Sequence, residues 1–337
     1  MSDPHLTLEQ THALAMRILT RHRIGEAQAQ AIADTVTHAE RDECKSHGLF
    51  RIPGYVKAAK SGKADGHAVP LIKDLAPGVI HIDSKRGFAP LALKTAYAPL
   101  IERTRQQGIA AAGITNTHHF AALWPEVETL AGHGLVAFAF TAALSYVAPA
   151  GGTKPLYGTN PMGFAWPRQG HSPLVFDQAS SASARGEIQL HLRDGKPIPE
   201  GWALGPDGAP TTDPEMALKG AQLCFGGYKG AAIALMVELL AGALIGDLFS
   251  FESTAADNGD GGPPTGGEFL LCIDPAKTNG AGSNALAHAE KLFEAIMAQP
   301  GTRLPSDRRY EARKRTPEEG ITVAPVLYEE LQRLAAQ

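Results

Sequence analysis

The sequence predicts an α/β subunit in which strands and helices are mixed along one chain. Three observations point there. Short apolar runs bounded by Gly, Pro, Asn or His fill the middle of the chain and read as buried strands. Longer segments between and around them carry apolar residues at helical spacing. The 337 residues, 44% of them hydrophobic, suffice for a substantial core in one large subunit of two or three lobes. Such mixing at this length suits an α/β architecture.

The chain opens with helices. Thr7 and Gln10 have capping-box spacing, and Leu14 and Ile18 follow on one face. Gly25 reads as a stop. A second helix places Ala29, Ile32, Ala33 and Val36 together. Its pattern breaks in the polar run from Arg41 to Gly48. Leu49 to Lys60 reads as a third helix with Pro53 in its first turn. Strands are expected at Gly108 to Ile114, Leu135 to Phe140, Met162 to Trp166, Leu174 to Phe176 and Phe269 to Ile273. Helices are expected at Pro90 to Gln106, Phe120 to His133, Lys229 to Phe249, Asn284 to Gln299 and at the end of the tail, with Leu327, Leu331 and Leu334 on one face. Leu190 to Pro214 and Asp257 to Gly267 are rich in Gly, Pro and Asp and read as hairpins or loops.

Composition excludes several function classes. Lysine and arginine are spread along the chain, and the formal net charge is -4, which argues against nucleic acid. Cys44, Cys224 and Cys272 form no C-x-x-C pair, so neither a disulfide framework nor a zinc ribbon is expected, and a reducing compartment fits. Met1 to Gln10 lacks the apolar centre of a signal peptide. Gly230 to Ile245 is the most apolar run, but it is short and interrupted by Glu238, so it reads as a buried core helix and not a membrane span. A cytoplasmic enzyme is the expectation.

Four motifs could carry chemistry. Ser46-His47-Gly48, with Arg51 four residues after His47, offers a proton-moving imidazole, a hydroxyl to orient it and a fork for a carboxylate. A helix-capping Ser beside a surface His would look the same. Thr117-His118-His119-Phe120-Ala121-Ala122-Leu123-Trp124 follows a strand, where ligand loops sit. No H-E-x-x-H or other metal spacing accompanies it, and no metal is expected. Tyr157-Gly158-Thr159-Asn160-Pro161 is a tight turn with hydrogen-bonding side chains. Asp177-Gln178-Ala179, followed by Ala184-Arg185-Gly186-Glu187, suits either close approach by a cofactor or a helix N-terminus capped by Asp177. There is no G-x-G-x-x-G. Gly280 to Ala285 comes nearest, but it lies late in the chain and lacks the partner acid of a Rossmann unit. Walker and G-x-S-x-G motifs are also missing.

Taken in order, several segments resemble the malate/L-lactate dehydrogenase family that is unrelated to the Rossmann-type lactate and malate enzymes. They are Ser46-His47-Gly48 with Arg51, the Gly158-Thr159-Asn160-Pro161 turn, Asp177 with Arg185-Gly186, Gly227-Tyr228-Lys229-Gly230, Phe269 to Pro275, and Arg303-Leu304-Pro305 with Arg308-Arg309. His118 to Pro125 resembles the branch that reduces Δ1-piperideine-2-carboxylate and Δ1-pyrroline-2-carboxylate, which implies NADPH, L-pipecolate and L-proline, and a place in lysine catabolism or proline metabolism. NADH is the less favoured cofactor. The resemblance implies a non-Rossmann cofactor domain on a mixed, largely antiparallel sheet (76–304, with an excursion near 190–215) and a helical domain from both chain ends (1–75 and 305–337). It also implies a homodimer with sites near the subunit interface.

It implies roles as well. His47 would donate the proton, with Ser46 and Glu187 as relay partners. Arg51 and Thr159, with Arg185 and Gly186, would hold the substrate. His119, Phe120, Ala121, Ala122, Leu123, Asp177, Gln178, Ala179, Lys229 and the segment Gly301, Thr302, Arg303, Leu304, Pro305, Ser306, Asp307 would line NADPH. Glu187 stands where aspartate is expected, and Tyr228 where many relatives carry His. The alternative is a 2-hydroxy-acid dehydrogenase acting on malate, lactate, ureidoglycolate or a diketo acid. A non-catalytic homologue would be expected to lack His47 or Arg51, and both are present.

Overall fold

The computed structural model of the chain describes residues 3–120, 122–280, 282 and 284–337. Its opening layer is helical. After β1 (His5–Leu6), α1 (Leu8–Arg21) starts at the capping box read from the sequence. Thr7 Oγ1 accepts from Gln10 N at 3.1 Å, and Gln10 Oε1 accepts from Thr7 N at 2.9 Å. Gly25 does not end this helix. α1 stops at Arg21, and Gly25 is the N-cap of α2 (Glu26–Arg41), whose Ala29, Ile32, Ala33 and Val36 are buried. Two 3-10 turns, Lys45–His47 and Leu49–Arg51, lead into α3 (Ile52–Ser61), which has Pro53 in its first turn.

The middle of the chain builds a sheet. Its elements are β2 (Leu71–Ala76), β3 (Val79–Asp83), α4 (Ala89–Gln107), β4 (Ile109–His118), α5 (Trp124–Gly132), β5 (Val136–Thr141), β6 (Met162–Trp166) and β7 (Leu174–Gln178). An excursion follows as α6 (Arg185–Arg193), β8 (Ala203–Leu204), β9 (Pro210–Thr211), α7 (Pro214–Lys219) and β10 (Ala221–Gln222). α8 (Tyr228–Glu238) continues into a π-helical turn, Leu239–Ala243, and then α9 (Ser250–Ala256), β11 (Thr265–Ile273), α10 (Pro275–Thr278), α11 (Ala285–Met297), α12 (Asp307–Glu319), β12 (Ile321–Thr322) and α13 (Pro325–Ala336).

Seven strands pair in the order β2-β3-β4-β11-β5-β6-β7. Only β3 and β4 run parallel, so the sheet is mixed and mostly antiparallel. α4 and α5 cover one face, packing Leu93, Leu100, Val127 and Leu130 on Ile80, Ile82, Ile114 and Leu270. Each such side chain contributes about 1.5–3 kcal/mol when fully buried. A second core joins Ile18, Leu19, Ile32, Leu49 and Ile52 to Leu331 of α13. β1 pairs antiparallel with β12, so both ends of the chain share this helical layer.

Some expectations change. β2 already belongs to the large sheet, so the first helical segment ends before Leu71 and not at residue 75. The stretch read as hairpins or loops near 190–215 holds the hairpin β8-β9, and β10 beyond it adds a third short strand. The apolar run after Gly230 is not buried all round, because Leu235, Leu239 and Leu244 are 46%, 49% and 61% exposed. Among the described residues no helix is long and apolar enough to cross a membrane.

Candidate active site

His47 ends the first 3-10 turn, and Glu40 of α2 sets the path of the chain there. Its Oε1 accepts from Leu49 N at 2.7 Å. A Cβ on residue 48 would lie 2.1 Å from that oxygen, so the close approach requires Gly48. Ser46 Oγ lies 3.0 Å from His47 Nδ1, the Phe120 carbonyl faces the ring, and Trp124 meets it edge-on at 5.8 Å. Desolvation, then the Arg51 charge, push the imidazole down to about 3, so the free site holds a neutral histidine at pH 7.

Arg51 lies over Phe120 at 4.6 Å and Phe50 at 5.4 Å. Its Nε is buried without an acceptor. A guanidinium desolvated in this way is suited to an incoming carboxylate.

The loop after β4 turns His119 inward. Its Nε2 lies 2.6 Å from Glu268 of β11 and 3.6 Å from Glu126 of α5. Burial alone would lower this histidine, but the two carboxylates outweigh it and hold an imidazolium. Burial and the charge of Glu268 push the Glu126 carboxyl up. Three such groups could suggest a metal. However, ligand atoms each about 2.0–2.2 Å from one ion stand more than about 3 Å apart, and 2.6 Å between Nε2 and the Glu268 carboxylate is a direct ion-pair contact. A cavity of about 240 Å³ begins at His47 and His119 and runs between α2 and α4 to Asp34 and Lys94. His118 points elsewhere, with Nδ1 3.2 Å from Thr265 Oγ1, and desolvation lowers it to about 4.

The end of β7 joins the remaining parts. Asp177 Oδ2 accepts from Leu123 N at 2.9 Å and Trp124 N at 3.2 Å. It therefore caps α5 and not a helix of its own. Burial raises its carboxyl to about 6 against the pull of these two donors. Three residues on, Ser180 N donates to the Thr159 carbonyl and Ser180 Oγ to the Asn160 carbonyl, both at 2.7 Å. Phe225 N donates to the Ser180 carbonyl at 3.1 Å, which brings Gly227 (φ +63°), Tyr228 and exposed Lys229 alongside. Ser306, at φ +80°, donates to the Val175 carbonyl, and Asp307 Oδ2 accepts from Leu304 N at 2.9 Å. The 301–307 segment thus lies along β7.

The structure gathers His47, Ser46, Arg51, His119, Phe120, Ala122, Leu123 and Asp177 into one cluster. It sets Thr159 and Lys229 beside the end of β7 at Gln178 and Ala179, and ties the segment Leu304 to Ser306 to the start of the same strand at Val175. Gly301, Thr302 and Arg303 are exposed beside it, with Pro305 also exposed and Asp307 half-buried. Ala121 lies outside the described residues. Glu187 is a correction. It projects from the first turn of α6, exposed, 3.9 Å from His191, and touches no part of His47 among the described residues. α6 belongs to the excursion that follows β7. Beside it Gly186 is exposed, while Arg185 stacks on Tyr146 at 4.0 Å and donates to the Leu218 carbonyl. Of the three late arginines, Arg309 is committed to the Val175 carbonyl and Ser306, while Arg303 and Arg308 are exposed. Glu40, Glu126 and Glu268 were not anticipated. A lone acid within the apolar strand Thr265–Ile273 was the available signal.

The model of the family described as malate/L-lactate dehydrogenase matches residues 6–332. A Δ1-pyrroline-2-carboxylate reductase of Ancylobacter novellus is 53% identical, covering 99% of this chain and 98% of its own. A Δ1-pyrroline-2-carboxylate/Δ1-piperideine-2-carboxylate reductase of Pseudomonas aeruginosa is 52% identical over 98% of each. The crystal structure of Δ1-piperideine-2-carboxylate reductase from Pseudomonas syringae superposes with a TM-score of 0.93 at 41% identity, covering 98% of this chain and 99% of that one. With its fold and nearly its whole length matched, the chain belongs to the malate/L-lactate dehydrogenase family.

Proposed function

We propose that this chain reduces Δ1-pyrroline-2-carboxylate and Δ1-piperideine-2-carboxylate to L-proline and L-pipecolate with NADPH. The site observation that carries this reading is Arg51, buried with an unmet donor and set four residues from a histidine in a loop of aromatic side chains. The similarity to reductases of these two substrates supplies the substrate class.

The residues fit a nicotinamide dinucleotide. Exposed Lys229, Arg303 and Arg308 suit its phosphates, and the end of β7 at Gln178 and Ala179 is polar and small. When bound, the cofactor supplies the hydride that adds to C2 of the imine. Arg51 neutralises the substrate carboxylate, and the Thr159 hydroxyl, which makes no hydrogen bond among the described residues, takes its second oxygen. That binding also acts on His47. A carboxylate on Arg51 offsets the second of the two main causes that depress the imidazole, burial being the first, so His47 gains proton affinity when substrate binds, with Ser46 fixing Nδ1.

The family match keeps a 2-hydroxy-acid dehydrogenase in view, since the same clamp holds a 2-keto acid. NADPH oxidation should give a higher kcat/KM with pyrroline-2-carboxylate than with pyruvate or oxaloacetate. The reverse order overturns the proposal. The preference for NADPH over NADH rests on Arg303 and Arg308. A charge-assisted phosphate contact is worth about 1.5–3 kcal/mol, or roughly one to two orders of magnitude in cofactor KM. Equal efficiency with both cofactors would refute it. Exposed Leu235, Leu239, Leu244 and Phe251 suit a homodimer, which sedimentation tests directly. The three cysteines are free, consistent with a reducing cytoplasm.

A further inference from the structure

Glu238 is a buried carboxylate that the mechanism above leaves unused. It sits at the end of α8, where the helix passes into the π-helical turn Leu239–Ala243, and is 4% exposed. Its Oε1 accepts from Asn160 Nδ2 at 2.8 Å and from Gly158 N at 3.4 Å, and its Oε2 from Ser250 N at 2.9 Å. No ion pair neutralises it among the described residues. A buried carboxylate without a cation is costly, and here it is met by donors from two other segments.

The donors identify what it holds. Gly158 and Asn160 flank Thr159. Asn160 is fully buried at φ +40°, and its amide also donates to the Ala234 carbonyl at 3.0 Å. Ser180 fixes the Thr159 and Asn160 carbonyls from the other side. The 158–160 turn is thus held from two directions, Gly158 N and the Asn160 side chain by Glu238 and the Thr159 and Asn160 carbonyls by Ser180, while the Thr159 hydroxyl makes no hydrogen bond among the described residues. A π-helical turn is a frequent marker of a functional position in a helix, and this one begins at the residue after Glu238.

We propose that Glu238 is a positioning residue that presets the 158–160 turn so that Thr159 meets the substrate carboxylate. This deepens the function proposed above and rests on it. Three donors converge on Glu238. A glutamine has one acceptor oxygen and would turn an N–H₂ toward a donor, so Glu238→Gln should shift the turn while leaving the cofactor contacts of β7 in place.

The test is a mutant cycle on the full-length enzyme with pyrroline-2-carboxylate. Glu238→Gln should raise KM about tenfold, with kcat and NADPH affinity, read by fluorescence titration, changed less than about threefold. Thr159→Val should raise KM similarly. The double variant should be no worse than the poorer single one, since both act on one contact. A merely structural role would instead multiply the two effects or lower NADPH affinity with KM, and either result overturns the proposal. So does Glu238→Gln with an unaltered KM. If Glu238→Gln does not fold, Ser180→Ala removes the opposite grip and should reproduce the KM shift at smaller size; an unaltered KM there is equally fatal. A wild-type enzyme inactive on cyclic imines but active on pyruvate would overturn the imine reading alone. The cycle is then read on the KM for pyruvate, whose carboxylate the same turn would hold.

Discussion

Glu268→Gln probes the buried charge cluster of His119, Glu126 and Glu268. Glu268 is fully buried on β11, just past the register shift at Gly266, and lies 2.6 Å from the His119 ring. Removing one partner of a buried ion pair costs about 3–5 kcal/mol. Glutamine keeps the shape and one acceptor, and Glu126 stays 3.6 Å from the ring, so a loss of about 2–3 kcal/mol is expected at pH 6.5. The sign with pH follows from His119, which is raised from 6.5 to about 10. A raised folded pKa stabilises fully below the unfolded value and is lost as pH climbs through the folded one. Glu126, also raised, acts in the same direction. The wild type should therefore weaken between about pH 6.5 and 10 through His119 and between about pH 4.5 and 8 through Glu126, by at most about 1.4 kcal/mol per pH unit for each group. Glu268→Gln removes the attraction that raises His119 and the repulsion that raises Glu126, so its stability should fall less steeply. The gap between the two proteins should be larger at pH 6.5 than at higher pH and close toward pH 10. Urea denaturation followed by tryptophan fluorescence measures it. A gap that is constant across pH, or absent at 6.5, refutes the reasoning.

Three further outcomes are expected. His47→Ala should lower kcat by about 10²–10⁴-fold while NADPH binding persists, and turnover within twofold of wild type would remove His47 from the chemistry. Arg51→Lys keeps charge but loses the planar fork, so substrate KM should rise on the order of tenfold with NADPH affinity unchanged; a parallel fall in both affinities would count against it. Asp177→Ala strands the Leu123 and Trp124 N–H groups, which should cost about 1–3 kcal/mol of stability and weaken NADPH binding. A thermal melt and cofactor titration identical to wild type would show that the cap is idle.

Local signals were the legible ones. Thr7 and Gln10 announce a helix start because a capping box closes within four residues, and Met162 to Trp166 reads as a strand because its ends are marked. β2 was not legible, since all six of its residues are exposed and it pairs only at the sheet edge. α12 was missed for a related reason. Its run Asp307 to Lys314 is nearly all polar, and Arg313 holds it to Asp42 and Glu128 through charge where an apolar face would ordinarily do so. In the site, His47 and Arg51 stand close in sequence and were found together. The His119–Glu126–Glu268 cluster spans a loop, a helix and a distant strand, so only the fold assembles it. Glu187 misled because it follows Arg185-Gly186 in order, and order along the chain does not fix which way α6 presents its first turn.

The pairing of β1 with β12 has a consequence for how the protein is made. His5 faces Thr322, and Lys45, next to the Ser46-His47 pair, donates to the Thr322 carbonyl at 3.1 Å. The turn bearing the proposed acid is therefore braced by a residue translated 277 positions after Lys45. During synthesis α1, α2 and α3 can pack on one another first, but the core they share stays incomplete until Leu331 and Ala335 of α13 have been made.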